Sequence, residues 1–200
     1  MKKLGILIRP ENTKEENDGY FQIALQNGLE IISLNARDQK QDFLQKCEKC
    51  NGFLLTGGNH NDWYDDMIID YALAYQIPLL GICQGMQSMA IYKSGVDTVK
   101  IGNNSHHIEK NKRHIVSLKP GRLKEIIGEE DIFVNSYHYE TVEESGQFEI
   151  TGYSEDGLIE VVENKNHPFQ IGVQWHPERM IEDKNMKKLI KAFVESIYTN

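Results

Sequence analysis

A chain of 200 residues, 40% of them apolar, is long enough to bury one sizeable core, and none of its apolar runs approaches the roughly 18 residues of a membrane-spanning helix. Thirty Asp and Glu against 22 Lys and Arg give a net charge of −8, which argues against nonspecific nucleic-acid binding. The opening MKKLGILIRP has too short an apolar part for a secretion signal and no small-residue cleavage site, so a cytoplasmic protein with one domain over 1–200 is expected.

That apolar part, Leu4 to Ile8, reads as a first strand, followed by strand signals at Glu30 to Leu34, Gly52 to Leu55 and Pro78 to Ile82. Amphipathic stretches at Tyr20 to Asn27, Asp38 to Lys49 and Asp62 to Tyr75 separate them. Such alternation marks a parallel sheet with crossover helices, whose ligands sit outside the carboxyl ends of the strands. A helix is expected from Gln84 to about Ser94, after which Gly95 to Asn111 is polar and turn-rich. Short runs at His114 to Leu118, Asp131 to Asn135, Phe148 to Tyr153 and Leu158 to Glu163 predict an antiparallel extension. Ile181 to Tyr198 carries apolar residues at helical spacing and should pack on the sheet.

The fourth strand runs into LLGICQGMQ, Leu79 to Gln87, where Cys83 stands between Gly81 and Gly85. Gly-x-Cys-x-Gly at a strand-to-helix turn is the thiol form of a nucleophile elbow, because neighbours with a Cβ would collide in the strained turn. Cys83 would then open a helix, whose positive end favours negatively charged sulfur. FQIGVQWHPE, Phe169 to Glu178, is a second apolar strand ending in His176, with Glu178 just beyond. A thiol nucleophile needs a base and a group that orients the base, so Cys83, His176 and Glu178 fill the catalytic roles. An oxyanion is expected to meet backbone N–H groups of Gly57 and Gly58, in the TGGNH segment, and of Gln84. A buried, inert cysteine is the competing reading for Cys83.

Cys47 and Cys50 form a lone C-x-x-C without a second Cys/His pair, so a reduced pair without metal is expected. His106, His107 and His114 lack a helix-spaced pair with a third ligand and read as loop histidines, so no metal or other cofactor is expected. Trp63 and Tyr64 open an amphipathic helix and read as core rather than as a stacking platform. Charge is unevenly spread: residues 99–124 hold seven Lys or Arg and one acid, while residues 125–164 hold twelve acids and no Lys or Arg.

GICQGMQ, LLTGGN, VNSYHYE (Val134 to Glu140) and GVQWHPE together resemble the class I glutamine amidotransferases, and more narrowly their γ-glutamyl hydrolase branch. RHIVSLKPGRLKEIIG and EDGLIEVVE add to the likeness, which covers nearly the whole chain. It implies an α/β, flavodoxin-like three-layer sandwich with a mostly parallel central sheet and a smaller antiparallel extension. It also implies hydrolysis of a γ-glutamyl amide through a thioester on Cys83, releasing glutamate. Gln87, Ser136, Tyr137 and His138 would hold the glutamyl moiety, with Asn59 and His60 at the pocket mouth. The chain is short around Asn59 to Asp66 for this branch. A phosphate-bearing leaving group would suit Lys100, His107, Lys110, Lys112 and Arg113, and the whole-chain likeness implies γ-glutamyl-CDP-amidate, a nucleotide-linked substrate of capsule synthesis. An ammonia-supplying glutaminase subunit and a non-catalytic binding module are the alternatives. The partner expected is a small molecule, with no nucleic acid and no membrane, and a homo-oligomer is left open.

Overall fold

The computed structural model describes residues 1–102, 106–108 and 112–200, and of His106 the backbone alone. The four apolar runs of the first half become β1 (Lys3–Ile8), β2 (Glu30–Asn35), β3 (Gly52–Leu55) and β4 (Leu79–Ile82). Between them lie α1 (Lys14–Leu25), α2 (Lys40–Cys47) and α3 (Trp63–Ala74), and α4 (Gln84–Ile91) follows β4. The second half adds β5 (Val99–Lys100), β6 (Lys112–Leu118), α5 (Arg122–Ile127), β7 (Asp131–Ser136), β8 (Glu140–Thr141), β9 (Glu149–Ser154), β10 (Ile159–Glu163), β11 (Gln170–Val173) and α6 (Lys184–Thr199).

One nine-stranded sheet runs β2-β1-β3-β4-β11-β10-β9-β6-β7. The neighbours from β2 to β11 pair in parallel, and those from β11 to β7 pair antiparallel. β11 enters beside β4 in parallel register, Val173 opposite Ile82, so the chain beyond β11 emerges next to the chain beyond β4. This register brings His176 to the elbow across 93 residues of sequence. Helices cover both faces, and each face has its own apolar core. Ile23, Phe193 and Ile197 from α1 and α6 pack on Leu54 and Leu80. Phe43, Ile68 and Met89 from α2, α3 and α4 pack on Phe53 and Leu79. Among the described residues no helix is long and apolar enough to cross a membrane.

Three features differ from the sequence expectation. α1 starts at Lys14 rather than near Tyr20, because Thr13 and Glu16 form a reciprocal cap: Thr13 Oγ1 accepts from the Glu16 N–H at 3.2 Å and the Glu16 carboxylate from the Thr13 N–H at 2.9 Å. α5 was not expected, and neither was the small β5–β8 ribbon that pairs Val99 with Thr141. Trp63 and Tyr64 are packing residues, Trp63 edge-on to Phe43 and Tyr64 buried beneath Arg9.

Candidate active site

Cys83 sits between β4 and α4 with φ 52° and ψ −107°, left-handed backbone that a side chain rarely adopts. The flanking glycines make this turn possible. A Cβ on Gly85 would stand 2.3 Å from the Leu55 carbonyl oxygen, and one on Gly81 would stand 2.8 Å from backbone atoms of Gly85. Cys83 then opens α4: its carbonyl accepts the Gln87 N–H at 3.1 Å, and its sulfur lies at the helix's electropositive end.

His176 leaves β11 and is buried, with Nδ1 2.7 Å from Glu178 Oε1. Its backbone is clamped from β7, where Asn135 Nδ2 donates to the His176 carbonyl at 2.9 Å and Asn135 Oδ1 accepts the His176 N–H at 2.8 Å. Burial opposes a positive ring, but Glu178 and the sulfur of Cys83 outweigh it and push the imidazole up to about 10. Nε2 has no hydrogen-bond partner among the described residues, and a ring raised this far already holds the proton that the Cys83 thiol gives up. Gln174 adds an unforeseen contact, its Nε2 donating to Cys83 Sγ at 3.6 Å, and the Tyr137 carbonyl lies 4.0 Å from the same sulfur.

Cys83 and His176 open into a cavity of about 420 Å³ whose wall includes Gly57, Gly58, Gln84, Gln87, Asn59, Tyr137 and His138. The glycine loop is held by residues after β1 that sequence reading did not flag. Arg9, buried and paired with Asp65 Oδ2 at 3.0 Å, donates to the carbonyls of Thr56 at 3.1 Å and His60 at 3.2 Å. Asn12 Nδ2 donates to the Gly57 carbonyl at 3.0 Å, and Glu11 accepts the Asn59 N–H at 3.1 Å. The Gly57 N–H does not point into open space: it donates to the Tyr20 hydroxyl at 3.0 Å. Burial, then the charges of Glu178 and Cys83, push Tyr20 well above the usual phenol value, so its hydroxyl keeps its proton.

The expected glutamyl contacts separate into two sets. Gln87, Asn59 and Tyr137 line the cavity, although Gln87 Nε2 is engaged by the Glu140 carbonyl at 2.8 Å and by Gln174 Oε1 at 3.1 Å. His138 reaches the cavity wall with both ring nitrogens turned away, Nδ1 to the Glu140 carbonyl at 2.8 Å and Nε2 to His107 Nδ1 at 3.1 Å. Ser136 lies behind the wall and donates to the His107 carbonyl at 3.0 Å, and His60 lines an adjoining cavity that shares Asn59 and Glu140.

The basic stretch does not gather on the cavity. Lys100, Lys112 and Arg113 are exposed and absent from its wall, and Lys110 lies outside the described residues. His107 lies in the 106–108 turn and is fully buried, which corrects its reading as a phosphate contact. His114 is likewise buried, and the two rings meet edge to face with centroids 4.5 Å apart. Cavity charge comes instead from Glu11, Glu16 and Glu140, against Arg179. Cys47 and Cys50 are free and buried in a core, where burial pushes Cys47 up to about 12 and Cys50 higher than usual.

Known proteins with this sequence and shape agree on the fold. The family described as peptidase C26 matches residues 59–178. The chain is 32% identical over 126 residues to γ-glutamyl-γ-aminobutyrate hydrolase PuuD of Escherichia coli, covering 56% of this chain and 50% of that protein. It is 25% identical over 212 residues to the CTP synthase of Mesoplasma florum, covering 87% of this chain and 38% of the relative. The glutaminase domain of Trypanosoma brucei CTP synthase, solved with bound acivicin, superposes with a TM-score of 0.73 at 17% identity, covering 98% of this chain and 94% of that one. The chain spans about half the length of curated relatives that it matches.

Proposed function

Because the chain belongs to the peptidase C26 family, we propose that it hydrolyses γ-glutamyl amides through a thioester on Cys83. The observation that carries this reading is the meeting of the strained Cys83 and the His176–Glu178 pair at one cavity. The sulfur adds to the δ-carbonyl carbon, and the electron pair pushed onto oxygen is met by the N–H groups of Gln84 and Gly58. Gly57 takes part when Tyr20 releases its N–H. His176, carrying the thiol proton, gives it to the leaving nitrogen as the C–N bond breaks. Water then yields a proton to His176 and attacks the thioester, and the sulfur leaves as glutamate is freed. Gln87, Asn59 and Tyr137 are the proposed glutamyl contacts.

For the released group, the candidate drawn from the sequence motifs is γ-glutamyl-CDP-amidate, giving glutamate and cytidine diphosphoramidate. The acidic side chains of the cavity wall, Glu11, Glu16 and Glu140, support an uncharged or amine leaving group instead. A second reading, an ammonia-supplying glutaminase, draws on the likeness to CTP synthases. Glutamate release from glutamine, γ-glutamyl-γ-aminobutyrate and γ-glutamyl-CDP-amidate, with wild type and Cys83→Ala side by side, separates these readings. Turnover of a γ-glutamyl conjugate well above that of glutamine, lost in Cys83→Ala, is expected. Hydrolysis of glutamine alone would establish the glutaminase, and full activity in Cys83→Ala would overturn the mechanism.

A further inference from the structure

Behind the cavity wall, side chains from four separate segments converge in the protein interior: His107 from the 106–108 turn, His114 on β6, His138 after β7 and Glu160 on β10, all buried. His107 Nδ1 and His138 Nε2 face each other at 3.1 Å, and each lies 3.7 Å from Glu160 Oε1. His114 Nε2 is 3.3 Å from the same oxygen. The Glu160 carboxylate is fully buried, and neither oxygen has a hydrogen-bond partner among the described residues. A carboxylate taken out of water must be balanced by positive charge beside it, either a proton on one of the three rings or a cation bound among them.

Proton placement bears on which of the two it is. His138 Nδ1 faces the Glu140 carbonyl, which only accepts, so Nδ1 holds the ring proton and Nε2 presents a lone pair. His107 Nε2 lies 3.1 Å from Asp156 Oδ1, so it too holds the proton and Nδ1 presents a lone pair. Ser136 has one hydroxyl proton for two acceptors, the His107 carbonyl at 3.0 Å and Nδ1 at 3.2 Å. Two lone pairs and a carboxylate oxygen thus share one buried space. Ligands about 2.1 Å from a tetrahedral ion are about 3.4 Å apart, close to the separations here. The outer nitrogens of both rings are fixed by a carboxylate and a backbone carbonyl, the usual support for metal-bound imidazoles.

We propose that His107, His138 and Glu160 bind a single divalent transition-metal ion of the Zn²⁺ class, with His114 the nearest further donor. The ion ties β10 and the 106–108 turn to the loop that carries Tyr137, whose carbonyl meets Cys83. The site is structural, and it stands or falls independently of the γ-glutamyl reading.

The test is metal analysis of the full chain in a Cys83→Ala background, which removes the active-site thiol as a ligand. Purified protein is expected to carry about one equivalent of zinc. After chelation, Co²⁺ should restore one equivalent with visible d–d absorption and raise the melting temperature. Glu160→Gln should abolish stoichiometric binding. Asp156→Asn, which alters the support of His107 and the Ser154 contact but removes no ligand, should weaken it about 10- to 100-fold and serves as the readout where Glu160→Gln fails to fold. Absence of bound metal together with a featureless Co²⁺ titration would overturn the site and leave the cluster held by protons. Undiminished binding in both variants would overturn it as well.

Discussion

His176 and His138 are both buried and both line the same cavity, yet they are built for opposite tasks. His176 turns Nδ1 to a carboxylate at 2.7 Å, and the charge beside it pushes the ring up to about 10. His138 turns Nδ1 to a neutral carbonyl at 2.8 Å, and burial leaves that ring pulled down to about 4. Burial is common to the two, so the difference lies in the partner. A carboxylate makes a histidine that holds a proton beside a thiol, whereas a carbonyl makes one that offers a lone pair.

The largest expected effect falls on the sulfur beside His176. Cys83→Ala should lower glutamate release by at least about 10⁴-fold, because no other nucleophile can form the thioester. The comparison itself is tested by parallel substitutions. His176→Asn should cost about as much as Cys83→Ala in kcat, whereas His138→Asn should cost about tenfold, read as a change in KM more than in kcat. The reverse ranking in soluble, folded variants would exchange the two roles.

Smaller effects follow from what holds His176. Glu178→Gln removes the orienting charge and should lower kcat by about 10² to 10⁴-fold with little change in KM. Asn135→Ala removes both backbone clamps while leaving the triad chemistry in place, and about 10²-fold is expected from misplacement of the ring. If Asn135→Ala were silent, the clamp would be packing rather than positioning. Alkylation gives an independent view: Cys83 should be modified well before Cys47 and Cys50, which burial keeps as thiols.

What the sequence revealed follows from the range of the forces involved. The parallel half of the sheet was legible because each strand is a short apolar run flanked by turns, and the elbow because its glycines are adjacent to the residue they serve. The first turn of α1 was hidden, since Lys14 to Asp18 is polar throughout, although Thr13 and Glu16 stood at capping-box spacing. Arg9 and Tyr20 were hidden for a different reason. They act on the glycine loop from 47 and 37 residues away, and no local pattern marks such a contact. The basic stretch misled because neighbours in sequence need not share a surface: successive strand residues point to opposite faces, and Lys112 and Arg113 are exposed on β6, while His114 turns inward. The VNSYHYE motif was seen, but its Asn135 was not singled out, and the cluster of His107, His138 and Glu160 exists only once three segments have met.

The smallest effect is also the most specific to His176, and it concerns stability rather than rate. A histidine raised from an ordinary value near 6.5 to about 10 binds its proton more tightly in the folded chain than in the unfolded one. Its contribution is therefore fully present below about pH 6.5, shrinks as pH rises, and is gone once pH has passed about 10. Wild-type protein should lose stability across that alkaline window with a slope of up to about 1.4 kcal/mol per pH unit beyond its other titrations. Denaturant midpoints measured every half unit should show a flatter alkaline limb in His176→Asn and a partly flattened one in Glu178→Gln. His138→Asn should leave that limb as steep as wild type, because a ring that gives up its proton near pH 4 has none to lose there. An alkaline limb unchanged in His176→Asn would mean that Glu178 orients a neutral ring, and that the two histidines differ in position rather than in charge.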